Sequence, residues 1–297
     1  SNFSQGIWQF PRILHLVVKG ISVISSITKI YDYVLCNRLT KWFKPDREQA
    51  GAQSSRGCIE HLVTLRLIIN FCFRKRVKLH IAYIDFSKAY DRVPRSKLME
   101  ILKRLGCGFV MLCALIAMYK VTKSILGMAV ITAIVGVRQG SPTSCFLFII
   151  FVNVLIRNMK DRCPDDGFLK WLHILMLMDD TVILATSRER LLEKLNILHD
   201  FCESHGMIVN HSKTKFMVIH GEEQDRVPIR FGDILIEHCD KYVYLGSVFT
   251  ADGSTSSSLK AHVAEKEKHY NKLVLFLRNN CDMPFVVKRK VVEAAFN

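Results

Sequence analysis

Hydrophobic and polar positions follow two periods along the chain, which predict helices and short strands in a mixed order. Ser141, Pro142 and Ser187 are typical of helix starts, and Gly106 and Gly206 are typical of helix ends. This order of elements predicts an α+β fold in which a split βαβ sheet carries helices on one face. The predicted helices cover 21–39, 59–72, 96–105, 109–119, 142–160 and 188–205, and the predicted strands lie within 80–86, 124–137, 175–185, 207–209, 216–219 and 242–249.

The segment 142–160 is apolar on nearly all sides, which predicts a helix buried behind the sheet. The apolar runs 109–118 and 145–156 are shorter than the roughly 18 to 20 residues that cross a bilayer. We therefore predict no membrane span. Beyond the serine run 254–258, a basic helical segment continues to Asn297, and we expect the chain to be part of a longer protein.

Two apolar runs within 175–185 flank the adjacent carboxylates Asp179 and Asp180. This pattern predicts a β-hairpin with the Asp pair at its tip, where left-handed turn conformations suit Asp. Two like charges there repel each other unless a cation lies between them, and a divalent metal is the obvious candidate. By itself the pair is more typical of a solvated turn than of a metal site.

The composition indicates a folded protein with a polyanionic partner. Hydrophobic residues make up 49% of the 297 positions, and 42 Lys and Arg against 27 Asp and Glu give a net charge of +15. Such a charge favours nucleic acid or an acidic membrane surface as partner, although a merely soluble basic surface has the same composition. The ten cysteines form no Cys-x-x-Cys pair, which predicts reduced thiols in an intracellular compartment and argues against a zinc site.

Five motifs, in this order, resemble the reverse transcriptase domain of non-LTR (LINE-type) retrotransposons. They are 82–93 (AYIDFSKAYDRV), 137–142 (VRQGSP), 178–180 (MDD), 206–214 (GMIVNHSKT) and 244–246 (YLG). The resemblance implies a right-hand polymerase that copies RNA from a DNA primer end with dNTPs. Its expected parts are an N-terminal extension (1–19), fingers (20–78), a first palm segment (79–98), fingers and palm (99–137), palm (138–250) and a partial thumb (251–297).

The resemblance also assigns the catalytic residues. Asp85, Asp179 and Asp180 match the carboxylates that hold two Mg²⁺ ions, or Mn²⁺ in their place, during in-line phosphoryl transfer. Lys213 matches a proton donor to pyrophosphate, although Lys215 is close by and a solvated lysine is an alternative interpretation.

Further residues are implied to contact the nucleotide or the nucleic acid. Tyr90 matches an aromatic that clashes with a ribonucleotide 2′-hydroxyl, although as a bare residue it is equally a core aromatic. The basic run 74–78 is otherwise typical of a solvated helix end. The implied nucleotide-binding residues are Phe86, Tyr90, Gln139, Gly140 and Arg56, and the implied nucleic-acid-binding residues are Arg74, Lys75, Arg76, Lys78, Tyr244, Leu245 and Gly246.

The chain departs from the family pattern at three places, one of which is Lys19, where an arginine is usual. Leu177 and Met178 replace an aromatic and an alanine before the Asp pair, which is expected to alter packing more than metal binding. Ala52 and Gln53 replace a Phe-Arg pair near the triphosphate, and Arg56 is expected to compensate in part.

Two other hypotheses remain beside the polymerase. One is a catalytically inactive retroelement remnant that only binds nucleic acid, and the other is a basic protein of a membrane surface. The resemblance implies that the protein has no membrane partner. It also implies that a full-length element carries an endonuclease elsewhere and that the protein is located in the nucleus.

Overall fold

A six-stranded sheet forms the centre of the structure, a computed structural model that describes residues 25–296 apart from 54, 121, 127–128 and 139. The predictions for 1–24, including the N-terminal extension, lie outside the described residues. The strands are β1 (Leu79–Ile84), β2 (Thr122–Leu126), β3 (Ala129–Ala133), β4 (Ile174–Leu177), β5 (Asp180–Ala185), β6 (Lys215–Ile219), β7 (Ile229–Phe231), β8 (Ile234–His238), β9 (Lys241–Tyr244) and β10 (Ser247–Thr250). The helices are α1 (Ser26–Trp42), α2 (Cys58–Lys75), α3 (Ala89–Arg92), α4 (Arg95–Arg104), α5 (Phe109–Tyr119), α6 (Pro142–Arg162), α7 (Arg188–His205), α8 (Thr255–Asn279) and α9 (Phe285–Phe296).

The sheet has the strand order β4-β5-β1-β6-β8-β7, with β1 antiparallel to both of its neighbours. Successive side chains of a strand point to opposite faces, so each strand contributes to two cores. On one face Ala82 and Ile84 of β1 join the larger core with α1, α4, α6 and α7. On the other face Ile81 and Tyr83 join a smaller core with α2 and the β9–β10 hairpin.

Local sequence explains several helix ends. The Ser187 hydroxyl accepts a hydrogen bond from the Arg190 N–H at the start of α7, and Gly206 ends that helix with φ of +67°. A glycine takes this left-handed conformation without the Cβ clash that other residues meet. Both residues were predicted for these roles.

The helix α6 is buried behind the sheet, as its all-round apolar sequence predicts. It is the one described helix that is long and apolar enough to cross a membrane, and 72% of its most apolar window lies inside the fold. Its packing is that of a core helix.

The structure corrects three sequence predictions of the fold. Residues 242–249 form the hairpin β9–β10 rather than one strand. Residues 207–209 contribute only an isolated bridge between Val209 and Phe86, and the strands β7 and β8 were not predicted. Helices cover both faces of the sheet, because the buried stripe of α2 packs on the face opposite α6.

We expect the stability of the fold to fall between pH 7 and pH 5, partly because of His61 on the buried side of α2. This side chain is 2% exposed, and neither ring nitrogen has a hydrogen-bond partner among the described residues. Burial, together with the charge of Arg56, lowers its pKa from 6.5 to about 4. Its unfolded form therefore takes up a proton below pH 6.5 that its folded form refuses until about pH 4, so stability is lost as the pH falls through this window.

Urea unfolding of the wild type and of His61→Leu at the two pH values measures this contribution. The variant should lose less stability on acidification than the wild type, by about 2 kcal/mol. His269→Leu, which changes an exposed histidine of α8, is the control and should leave the pH dependence unchanged. Equal losses in the wild type and His61→Leu would contradict the assignment.

Candidate active site

Three aspartates lie at one end of the sheet. The antiparallel register of β1 and β5 runs to the pair Ile84 and Thr181, and its continuation by one residue places Asp85 beside Asp180. Asp179 lies in the turn that joins β4 to β5. Adjacent strands therefore bring the backbones of Asp85 and Asp180, which are far apart in sequence, next to each other.

The turn that carries the Asp pair lies one residue earlier than predicted. Leu177 pairs with Asp180, so the two turn residues are Met178 and Asp179, and Asp180 begins β5. Met178 takes the left-handed conformation, with φ of +61°. This conformation is uncommon for an unbranched apolar residue, and it was expected of an aspartate.

The loop after α7 fixes the backbone around Asp85. The Asp85 N–H donates to the buried Thr214 hydroxyl at 3.1 Å, and the Asn210 N–H donates to the Asp85 carbonyl at 2.7 Å. Asn210 and Thr214, which both belong to the fourth motif, thus hold the backbone of Asp85 in place. Sequence analysis did not assign Thr214, although its place in the fourth motif was a signal.

Lys213 is the loop residue whose side chain reaches the carboxylates. Its Nζ lies 3.7 Å from Oδ1 of Asp85, and its side chain is 66% exposed. Lys215, the alternative, is paired with Glu237 at 2.6 Å on the neighbouring strand. The geometry therefore favours Lys213 over Lys215 for chemistry at Asp85.

The predicted primer-binding residues Tyr244, Leu245 and Gly246 lie at the turn of the β9–β10 hairpin. Leu245 and Gly246 form its two-residue turn, both with positive φ. Tyr244 is buried beneath the turn. Burial and the charge of Asp180 raise the pKa of Tyr244 above its ordinary value.

Tyr242, in the same hairpin, lies close to the carboxylates. Its ring stacks on Tyr83 with centroids 4.1 Å apart, and its hydroxyl donates to the Lys213 carbonyl at 3.2 Å. Burial, followed by the charges of Asp85 and Asp180, raises the pKa of Tyr242 to about 12. Tyr242 therefore stays neutral at physiological pH beside two carboxylates.

The predicted nucleotide-binding residues around Tyr90 occupy different environments. The Tyr90 ring stacks on Phe148 of α6 with centroids 4.4 Å apart. Burial, then Cys145 and Asp179, raises the pKa of Tyr90.

Phe86 is 5% exposed within the larger core, so any nucleotide contact would involve its backbone. Gly140 is exposed just before α6, and Gln139 lies outside the described residues.

Arg56, a predicted nucleotide-binding residue, contacts groups of the protein itself. Its guanidinium donates to the carbonyls of Arg47 at 2.9 Å and Gln49 at 3.2 Å, and it pairs with Glu60 at 2.8 Å. Arg56 thus braces the loop 43–57 between α1 and α2.

The basic run 74–78 lies away from the carboxylates. It joins the end of α2 to the start of β1, whereas Asp85 follows the other end of that strand. Lys78 pairs with Glu222 at 3.1 Å and Asp225 at 2.9 Å. A role for this run in binding nucleic acid would therefore involve a surface distant from the end of the sheet that carries Asp85.

Asp32 is a buried carboxylate that sequence analysis missed. It accepts hydrogen bonds from Ser141 and from Thr143, the latter at 2.7 Å, at the N-terminus of α6. This position favours a negative charge, and the contact anchors the loop that contains Gly140. An aspartate in the apolar stripe of α1, between Ile30 and Leu35, was the available signal.

Asp85, Asp179 and Asp180 offer the chemistry of a magnesium site. Their carboxylate oxygens are the ligands that Mg²⁺ prefers. Among the described residues, no group of three or more Asp, Glu, His or Cys side chains is placed to hold a metal ion. Magnesium in enzymes that act on nucleotides is usually held by one or two carboxylates together with phosphates and water, so two of these carboxylates would suffice.

Comparison with known proteins gives the family. A model described as "Reverse transcriptase (RNA-dependent DNA polymerase)" matches residues 18–249. The chain is 26% identical over 253 residues to a Pol polyprotein of the retrotransposable element R2 of Nasonia vitripennis, covering 79% of this chain and 24% of that protein. For the R2DM polyprotein of Drosophila melanogaster the identity is 23% over 273 residues, covering 86% of this chain and 26% of that protein. The chain thus spans about a quarter of the length of these relatives.

Solved structures give the fold. Telomerase from Candida tropicalis in complex with a fragment of telomeric RNA matches with a TM-score of 0.51 and 15% identity over 92% of this chain and 45% of that chain. The truncated apo telomerase from the same species matches with a TM-score of 0.50 and 15% identity over 76% of this chain and 44% of that chain. The predicted α+β, right-hand polymerase fold is confirmed. The chain belongs to the reverse transcriptase family, within the branch of non-LTR retrotransposons.

Proposed function

We propose that this domain is an RNA-directed DNA polymerase that extends a DNA primer along an RNA template with dNTPs. The observation that carries the proposal is the meeting of Asp85, Asp179 and Asp180 at one end of the sheet in a chain of this family. The net charge of +15 supports a nucleic-acid partner. The proposal extends to a nuclear location and to an endonuclease elsewhere in a full-length element.

The three carboxylates would hold two Mg²⁺ ions, with Asp85 and Asp179 as the main ligands and Asp180 as the third carboxylate. Magnesium bound there supplies positive charge to the attacking 3′-oxygen and to the leaving pyrophosphate. The protein contributes rigid placement: Thr214 and Asn210 fix the backbone of Asp85.

Lys213 and Tyr90 would act on the incoming nucleotide. The ammonium group of Lys213, beside Asp85, is close enough to the carboxylates to donate a proton to pyrophosphate as it leaves. Tyr90, held flat on Phe148, would occupy the space of a ribose 2′-hydroxyl and so favour deoxynucleotides.

The β9–β10 hairpin would hold the primer end. Its turn at Leu245 and Gly246 follows Tyr244, and both Tyr242 and Tyr244 lie close enough to Asp180 for its charge to raise their pKa values. Backbone groups at such a turn are suited to contact a sugar-phosphate chain without reading its sequence.

Extension of a DNA primer on an RNA template tests the proposal. With purified protein, dNTPs and magnesium, we expect incorporation that Asp179→Asn abolishes to the background level. Lack of incorporation by the wild type, with template-primer binding intact in a mobility-shift assay, would overturn the polymerase and favour a protein that only binds nucleic acid.

A further inference from the structure

The turn that carries Asp179 is held by a side chain from the loop 43–57. The Gln49 Oε1 accepts a hydrogen bond from the Met178 N–H at 3.0 Å, and its Nε2 donates to the Met178 carbonyl at 3.5 Å. Gln49 is fully buried. One amide group therefore contacts both backbone groups of the residue that precedes the catalytic aspartate.

The backbone of the same loop extends the sheet at its edge. The Met176 N–H donates to the Glu48 carbonyl at 2.8 Å, and the Ala50 N–H donates to the Met176 carbonyl at 3.0 Å. Gln49 and Met176 form a parallel bridge on the free side of β4. This backbone pairing holds Gln49 beside β4, where its side chain reaches the turn.

The loop passes close to the turn at Gly51. A Cβ atom on Gly51 would lie 2.3 Å from the Met178 sulfur and 2.9 Å from the Gln49 Oε1, so a larger residue there would have to displace one of these side chains. The Gly51 N–H also donates to the Gln49 Oε1 at 2.8 Å, which fixes the orientation of the amide. On the other side, Arg56 and Gln53 both donate to the Gln49 carbonyl.

Met178 needs this support because its left-handed backbone is unfavourable for a residue with a Cβ atom. We propose that Gln49 is a positioning residue that holds Met178 in this conformation and thereby aims Asp179. The inference rests on the proposed polymerase function. It makes the geometry of the catalytic turn depend on the loop 43–57, which Arg56 ties to α2 through Glu60.

Activity of the full chain provides the first test. Gln49→Met keeps the length of the side chain but cannot bond to the Met178 backbone, and we expect it to lower kcat by about 10- to 100-fold with little change in KM for dNTP. The matched control is Gln224→Met, which makes the same change at an exposed amide between β6 and β7 that bonds to Glu222, and it should change kcat by less than about 3-fold.

A second substitution separates positioning from general damage. Asn adopts the left-handed conformation more readily than Met, so in the Met178→Asn background Gln49→Met should cost much less in kcat. A cost that is equally large in both backgrounds, or equal effects of Gln49→Met and Gln224→Met, would overturn the proposal.

Hydrogen exchange at the Met178 amide gives a readout that does not depend on activity. In the wild type this N–H is bonded to a buried oxygen and should exchange slowly, and Gln49→Met should accelerate its exchange at least about 10-fold without accelerating the amides of β1. Rapid exchange in the wild type would overturn the positioning role even if the variant does not fold. Slow exchange that Gln49→Met accelerates, in a chain without polymerase activity, would support the positioning role while the polymerase proposal fails.

Discussion

Replacing Asp85 with asparagine is expected to lower the rate of nucleotide incorporation by about three orders of magnitude or more, because bound metal contributes several kcal/mol to stabilising the transition state. Asparagine keeps the size of the side chain and the backbone bonds to Thr214 and Asn210, but it loses the charge. Single-nucleotide incorporation on an RNA template, measured at saturating dNTP, checks the result.

Two controls make the Asp85 result specific. Asp233→Asn removes an exposed carboxylate from the turn between β7 and β8, at the other side of the same sheet, and should leave the rate unchanged. Thermal unfolding of Asp85→Asn should match that of the wild type, since the carboxylate is partly exposed. A variant that retains more than about a tenth of the rate would show that Asp85 is not a principal metal ligand.

Lys194→Met is expected to lower the free energy of unfolding by about 3–5 kcal/mol, because it leaves the Asp166 carboxylate buried without its partner. Both side chains are 1% exposed and form an ion pair, and Lys194 also donates to the Leu184 carbonyl at 2.6 Å. Burial by itself would raise the pKa of Asp166, but the hydrogen bonds from Lys194 and Thr186 outweigh it and hold the pKa below its ordinary value. Urea unfolding at pH 7 measures the loss.

An exposed ion pair of the same fold provides the comparison. Arg162 and Asp200 are 2.7 Å apart but 50% and 56% exposed, so Arg162→Met should cost no more than about 1 kcal/mol. The double variant Asp166→Leu/Lys194→Met should recover part of the stability lost in Lys194→Met, since no buried charge remains. Equal costs for Lys194→Met and Arg162→Met would contradict the buried-pair interpretation.

Much of the site follows from the sequence because its chemistry is concentrated in short motifs. The carboxylates, Tyr90 and Lys213 were all assigned from the motifs, and the structure brings these five residues to the same end of the sheet. The prediction for Arg56 rested on its place in the family pattern alone. In the structure its guanidinium is occupied by two carbonyls and by Glu60, which no local pattern reveals.

Helices were predicted better than strands. Helix periodicity and caps are local, so α5 and the ends of α7 agree with the sequence prediction. The strands β7 and β8 are short, and β8 pairs with β6 while β7 pairs only with β8. The strands β9 and β10 are separated by a turn whose first residue, Leu245, is not a typical turn residue. Strand boundaries of this kind are decided by partners distant in the chain.

The sequence by itself determined which residues are candidates for the chemistry and the order in which they occur, since the motifs and their charges are properties of short segments. Only the tertiary structure decided that the turn begins at Met178 and that Gln49, 129 positions away, holds it. The same holds for Asp32 at α6 and for the buried pair of Asp166 and Lys194. The physical reason is that each of these polar groups is stabilised by a partner that only the packed chain brings within hydrogen-bonding distance.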